Sequence, residues 1–309
     1  MEHETAGDPI TGLKWTRKTT EKIATELRNF GIQVCANTVG RLLKSMRYSL
    51  RVNHKRVESG NKNPPKPKDR NRQFEYIADM REAFAQNGNP IISVDTKKKE
   101  LIGNFKNNGS TWQKSPIPVN DHDFRSDAVG IAVPYGIYDK QANSGYVCLG
   151  QSADTPAFAV DSIEHWWVHE GRKRYPHAAE LLILADCGGS NSPRSRVWKY
   201  RIQKQLCEGH KLTVTVCHYP PGASKWNPVE HRLFAEISKN WAGWPLTSYQ
   251  TALNFIRTTR TSTGLRVKAL WVSKKYPKGE EVPENKMRNL PLHKHETFPH
   301  WNYTLATLK

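Results

Sequence analysis

The sequence has no run of about 18 apolar residues, which excludes an ordinary transmembrane helix. Its first ten residues, MEHETAGDPI, lack the apolar stretch of a secretory signal. The five cysteines, at 35, 148, 187, 207 and 217, form no C-x-x-C pair. Scattered and odd in number, they argue against a disulfide framework or a zinc knuckle, and the chain is read as cytosolic. Acids are also short: 29 Asp and Glu stand against 47 Lys and Arg, a formal charge of +18. The shortage is uneven. From Lys14 to Arg72 there are 16 Lys or Arg and four acids (Glu21, Glu26, Glu58, Asp69), so this stretch alone carries +12. A basic segment beside a nearly balanced one points to a polyanion partner, nucleic acid above all. At 309 residues, 37% hydrophobic and with ten tryptophans, the chain suffices for one large domain or two ordinary ones.

The basic segment reads as a small helix-turn-helix or winged-helix domain over residues 1–57. Thr19 or Thr20 caps a helix with Ile23, Leu27 and Phe30 on one face, ended by Gly31. Asn37 is expected to cap a second helix with Val39, Leu42, Leu43 and Met46 inside. Its outer face carries Thr38, Arg41 and Lys44, with Arg47 at its end. YSLRVNHKR then alternates like a strand bearing Arg51, Lys55 and Arg56. In such a domain the second helix enters the major groove and the ribbon touches phosphates; a plain helical hairpin is the alternative. The Pro-rich, basic stretch over 58–72 reads as a linker. Asp69 then precedes a helix through Phe74, Ile77 and Phe84.

From Pro90 the pattern changes. IISVDT, ELIGNFKN, AVGIAVPYGIYD and GYVCLG are strand-like. A helix with Phe158, Ile163, Trp166 and Trp167 inside follows, then the strand ELLILAD, a helix after Pro193, the strand KLTVTVCH and a helix through Leu233, Phe234, Ile237 and Trp241. Leading antiparallel strands followed by alternating helices and strands predict a mixed α/β sheet with helices on both faces, in ribonuclease H-like order. This catalytic domain is expected over 73–275, with a tail over 276–309.

Three acids depart from their local patterns. Asp95 lies within the first apolar strand, Asp186 ends another, and Glu230 starts the last helix. A carboxylate in an apolar strand is costly unless paired or metal-bound. Asp95 and Asp186 would sit on neighbouring strands, a fit for Mg²⁺, and two such ions about 4 Å apart serve in-line displacement at phosphorus. The local chemistry gives Glu230 a second reading: Asn227 as N-cap, Pro228 at the first helical position and Glu230 three residues on form a capping box.

The blocks IISVDTKKKELIGNFKN, LLILADCGGSNSPRSRVWK, VCHYPPGASKWNPVEHRLF and ISKNWAGWPL resemble the Rhodopirellula-type DDE transposases of bacterial insertion sequences, from about Trp15 to the WNYT near the C-terminus. NPVEH also resembles the third-acid motif of mariner-like transposases. The resemblance implies a catalytic, metal-binding triad of Asp95, Asp186 and Glu230, with two Mg²⁺ or Mn²⁺ ions. It implies binding of terminal inverted repeats and target DNA, hydrolysis of the 3′ strand and one-step transfer of the 3′-OH. It further implies at least a homodimer on DNA. Members of the family extend further before the equivalent of Trp15, so a shortened reader domain is expected. A repressor that binds without cutting, and a nuclease that cuts without joining, are the alternatives.

Several further residues carry readings of both kinds. Lys97 and Lys98, in the run ending at Lys99, could hold phosphate or form a solvated turn. Arg194 and Arg196, in GGSNSPRSR, could hold phosphate at a helix start or sit in a plain loop. Lys225 is placed with the DNA contacts, and Trp226 is read as a core residue before a base-stacking one. Asp121 to Phe124 and His293 to His295 read as surface, and Cys187 as a small buried residue.

Overall fold

The computed structural model describes residues 18–50, 65–223 and 226–307, together with the backbone of two short strands before them. Contacts divide the chain into two compact units, Met1–Val57 and Glu58–Lys309. Among the described residues no helix is long and apolar enough to cross a membrane.

In the first unit, β1 (Thr5–Gly7) and β2 (Lys14–Thr16) pair antiparallel. Helix α1 (Thr20–Asn29) starts at Thr19, whose hydroxyl accepts from the Lys22 N–H at 3.3 Å. Helix α2 (Ala36–Ser45) starts one residue before the expected Asn37 cap. Cys35 holds the cap position, its thiol 3.3 Å from the Thr38 hydroxyl. Ile23, Ala24 and Val39 are buried between the helices. Phe30, Leu42 and Met46, expected inside, are 77%, 50% and 64% exposed, because two ten-residue helices cannot cover a full apolar stripe. The end of α2 is closed by Arg47 N–H to Lys44 C=O and Tyr48 N–H to Leu43 C=O, with Arg47 left-handed at φ 64°. The ribbon residues Arg51, Lys55 and Arg56 lie outside the described residues.

The second unit begins with α3 (Pro67–Gln86), so the helix starts inside the span expected as linker and ahead of Asp69. Pro67 fits there because its missing N–H has no intrahelical partner to lose. Next come β3 (Ile91–Thr96), β4 (Glu100–Ile102), β5 (Gly130–Asp139), β6 (Ser144–Gly150), α4 (Pro156–Trp166), α5 (Arg172–Arg174), β7 (Glu180–Ala185), α6 (Arg196–Arg201) and β8 (Thr213–His218). The chain ends with α7 (Ala235–Asn240), α8 (Tyr249–Thr258), β9 (Arg266–Val272), α9 (Glu284–Arg288), β10 (Leu292–Lys294) and β11 (Asn302–Leu305). Widened π-type turns run from Trp167 to Gly171, from Ile202 to Glu208 and from Glu230 to Phe234.

The strands form one nine-stranded sheet in the order β10-β11-β8-β7-β3-β5-β6-β9, with β4 paired to β5. β3, β5 and β6 pair antiparallel, and β7 and β8 continue from β3 in parallel. That is the ribonuclease H-like arrangement, a mixed sheet with helices on both faces. β9 extends it parallel to β6, and β11 antiparallel to β8. The segment after residue 276, expected as a tail, therefore supplies two strands of the sheet.

Alternation along β3 sets the two faces. Ile92 and Val94 enter the core under α4 and α6, while Ser93 and Asp95 face the helix that begins after Asn227. That helix lies flat on the sheet because β5 and β6 present glycine beneath it. A Cβ on Gly136 would stand 2.3 Å from Phe234, and one on Gly145 2.4 Å from Leu233. No side chain fits at those distances, so the glycines let the Glu230 helix sit against the strand that carries Asp95.

A candidate active site at the ends of β3 and β7

Val94 of β3 pairs with Ala185 of β7 in parallel register, so Asp95 and Asp186 are the next residues on neighbouring strands. Strand spacing puts their backbones roughly 5 Å apart. Asp95 is 9% exposed, and its carboxyl accepts from the Thr96 N–H at 2.7 Å. The Gly188 N–H and the Asn191 side chain face Asp186 and favour its charged form. The Asp186 Oδ1 is buried and has no hydrogen-bond partner among the described residues.

Glu230 completes the set from the opposite helix. Its carboxyl is hydrogen-bonded to Asp95 and not to the Asn227 N–H of a capping box. The cap comes from the sheet instead: the Ser93 hydroxyl accepts from the Val229 N–H at 2.9 Å. The fully buried Asn227 locks the same joint, donating to the Val94 C=O at 3.1 Å and accepting from the Ser93 hydroxyl. The helix that presents Glu230 is thus fastened to the residues just before Asp95.

Burial, then the charge of Asp186, pushes the Asp95 carboxyl well up. Burial raises Asp186 too, against the pull of the Gly188 and Asn191 donors. Glu230 is raised by burial and eased by the hydrogen bond from Asp95. Three crowded carboxyls resist ionising together, which is why all three are raised. Among the described residues no group of three or more His, Cys, Asp or Glu side chains is placed to hold a metal ion. The donor set nonetheless suits a hard cation: all-oxygen, crowded with negative charge, with one buried carboxylate oxygen unpartnered.

This crowding predicts a pH effect. A carboxyl raised in the folded chain binds more protons there than when unfolded. Stability is then lost as pH climbs from the ordinary carboxylate range through the folded value, and it stays lost above. In EDTA at pH 8, Asp95→Asn is expected to melt higher by on the order of 2 kcal/mol, about 4–8 °C, and the gain should vanish near pH 4. Equal melting of the two proteins at pH 8 would show that the acids do not repel.

Asn191, Asp154 and the Ser93–Asn227 pair escaped the sequence reading. Asn191 is 1% exposed, and its Oδ1 accepts from the buried Tyr135 hydroxyl at 2.8 Å, which turns its amide N–H to Asp186. The His218 ring stands 2.9 Å from the Asn191 C=O. Asp154 accepts from the Thr96 hydroxyl at 3.0 Å, lies 4.0 Å from Lys99, and helps to raise Asp186 by charge repulsion. Its only sequence signal is its place before the Thr155 cap of α4, which suits an ordinary turn residue.

The expected DNA contacts divide. Lys98 and Arg194 are exposed, three residues after Asp95 and eight after Asp186 in sequence, and Arg41, Lys44 and Arg47 are exposed on and after α2. Thr38 is half-buried and tied to Cys35. Lys97 is turned inward, 8% exposed, bonded to Glu100 at 2.6 Å and set over the Trp241 ring. Arg196 is held by Glu284 at 2.7 Å. Lys225 lies outside the described residues. Trp226, expected in the core, is 58% exposed and meets the Phe74 ring at 6.1 Å. Cys187 donates to the Tyr219 C=O, and burial holds its thiol protonated, up to about 12.

The family described as the Rhodopirellula transposase DDE domain matches residues 1–307. No curated protein sequence matches the chain. Among solved structures, the Mos1 mariner paired-end complex with Mn is 15% identical with a TM-score of 0.47, covering 77% of this chain and 65% of that one. The Mos1 strand transfer complex is 16% identical with a TM-score of 0.47, covering 77% and 64%. The chain thus spans just under two thirds of the length of these structures.

Proposed function

The chain belongs to the Rhodopirellula transposase DDE domain family, and from that premise we propose that it is a DNA transposase whose Asp95, Asp186 and Glu230 form the reacting centre. One observation carries the reading: three acids from three separate elements meet at the ends of β3 and β7, with Glu230 turned onto Asp95. Two Mg²⁺ or Mn²⁺ ions held by these acids would supply charge neutralisation at phosphorus and a more acidic attacking water or hydroxyl.

The chain's own residues do the rest. The two strands fix the separation of Asp95 and Asp186, and Ser93 and Asn227 set the approach of Glu230. Asn191 and the Gly188 N–H hold Asp186 in one orientation. Lys98 and Arg194 offer exposed cations to the phosphates flanking the reacting one. The basic outer face of α2 reads the terminal repeats, with Arg41, Lys44 and Arg47 as contacts. The reaction is hydrolysis of the 3′ strand at each end, followed by attack of the freed 3′-OH on target DNA. Two ends joined in one assembly call for at least a homodimer on DNA.

The test incubates the full chain with a labelled duplex carrying the element's terminal repeat and flank, a target plasmid, and Mg²⁺ or Mn²⁺. A new 3′-OH at the element's end, then its joining to plasmid, is the expected result, with none in EDTA. Cutting without joining would mark a nuclease, and binding without cutting a repressor.

Arg47 allows a sharper test of the reader domain. Its left-handed conformation costs an L-residue roughly 1–2 kcal/mol, and glycine is free of that cost. Arg47→Gly is expected to raise stability by about 1 kcal/mol while weakening binding to the terminal repeat. Binding that stays constant or tightens would remove Arg47 from the contacts.

A further inference from the structure

From Ile237 to Gly279 the chain has eight Lys or Arg and no Asp or Glu across 43 residues. This stretch includes α8 and β9, and β9 is the outer strand on its side of the sheet. Where α8 turns into β9 lies a groove of about 500 Å³ lined by Arg257, Thr258, Thr259, Arg260, Arg266 and Lys268. All four cations are exposed. Lys268 reaches Glu170 at 2.7 Å, but none of the three arginines pairs with a carboxylate among the described residues.

Arg257 is also held in place. Arg257 donates its Nε–H to the Ala269 C=O at 2.9 Å, which orients the guanidinium and leaves its terminal N–H groups for a ligand. Arg260 and Arg266 are antiparallel bridge partners, so two like charges sit directly opposite each other and repel. Charged edge strands do guard against edge-to-edge pairing. Single charges of either sign serve that purpose, and it explains neither a facing Arg–Arg pair nor an acid-free stretch of this length. An anion between the guanidinium groups relieves the repulsion, and their planar forks suit phosphate oxygens.

The groove is well removed from the acids. Asp95, Gly136, Val147 and Ala269 form one row across β3, β5, β6 and β9. Three strand spacings make that row about 14 Å long, and Arg266 lies about 10 Å further back along β9. The backbone separation is thus roughly 17 Å, and Arg266, at odd spacing from Ala269, projects on the face of the sheet opposite Asp95.

We propose that this groove holds the phosphodiester backbone of duplex DNA away from the reacting phosphate. Such contacts position a duplex without reading its sequence. The proposal shares with the proposed function its need for DNA as partner, but it does not depend on the triad.

The test uses the full chain with Arg260→Ala and Arg266→Ala together, a 30-bp duplex of arbitrary sequence, EDTA, and salt varied from 50 to 200 mM. The plot of log affinity against log salt is expected to be shallower by about 1.8, or 0.9 for each lost contact, with affinity at 100 mM down at least about tenfold. If the double variant melts early, Arg260→Gln and Arg266→Gln singly carry the test, each flattening the slope by about 0.9. An unchanged slope overturns the proposal and leaves the triad untouched, since nothing is cut in EDTA. Retained DNA binding with lost binding to anionic lipid vesicles also overturns it.

Discussion

Changing Asp95 or Asp186 to Asn, or Glu230 to Gln, is expected to lower end cleavage at least about 10³-fold, a loss of about 4 kcal/mol in the transition state. Each change keeps the size of the side chain and removes the charge needed to hold a divalent cation. Glu230→Gln decides the most. Glutamine serves a capping box as well as glutamate does, so a helix-capping role would leave activity near wild type. A role at the reacting centre would abolish it. Melting curves with and without Mg²⁺ separate loss of the ion from loss of the fold. The wild-type protein is expected to gain stability with Mg²⁺, and each variant to lose most of that gain while remaining folded. A variant that cuts at more than a tenth of the wild-type rate would remove its residue from the triad.

Asn227→Ala is expected to have the next largest effect, through position alone. Asn227 touches none of the three acids, yet its amide bridges the Val94 C=O and the Ser93 hydroxyl in a fully buried joint. Truncation leaves that carbonyl unsatisfied and opens a small cavity, at a cost of about 2–4 kcal/mol. It also loosens the seat of the helix that carries Glu230. A shift of about 1 Å at a reacting group costs about 10²-fold, so cleavage should fall by that factor even where the variant is fully folded. Asn227→Asp keeps the acceptor, loses the donor to Val94 and adds a buried charge near the acids, and should be at least as damaging. Stability loss with normal cleavage of the folded fraction would limit Asn227 to a structural part.

The run from β3 to β8 was legible because each strand is a distinct apolar run and the helices between carry clear faces. Asp95 and Asp186 were legible because one breaks and the other ends such a run. Glu230 was legible only to a choice, since its spacing from Asn227 suits a cap and a ligand equally. The partner that decides, Asp95, is 135 residues away in sequence. β9 was hidden because an edge strand carries outward charges, so RVKALWV lacks the profile of a buried strand. β10 and β11, of three and four residues, are too short to show periodicity and are fixed by pairing with distant strands. Lys97 looked like its neighbours Lys98 and Lys99. Its inward turn depends on Glu100 and on Trp241, and only Glu100 is near in sequence.

The place of β11 in the sheet has a consequence for synthesis. Asn302 pairs with Cys217, so β8 meets its outer neighbour about 85 residues after it emerges. At about 5–20 residues per second, that edge of a nascent chain waits some 4–17 s on the ribosome. The same delay applies to the buried His218, whose two ring nitrogens each stand 2.9 Å from a carbonyl oxygen, of Trp301 and of Asn191. The pocket for Asp186 is therefore finished late. Slower decoding between β8 and β11 would lengthen the exposure of β8 and lower the yield of active protein without altering a single residue.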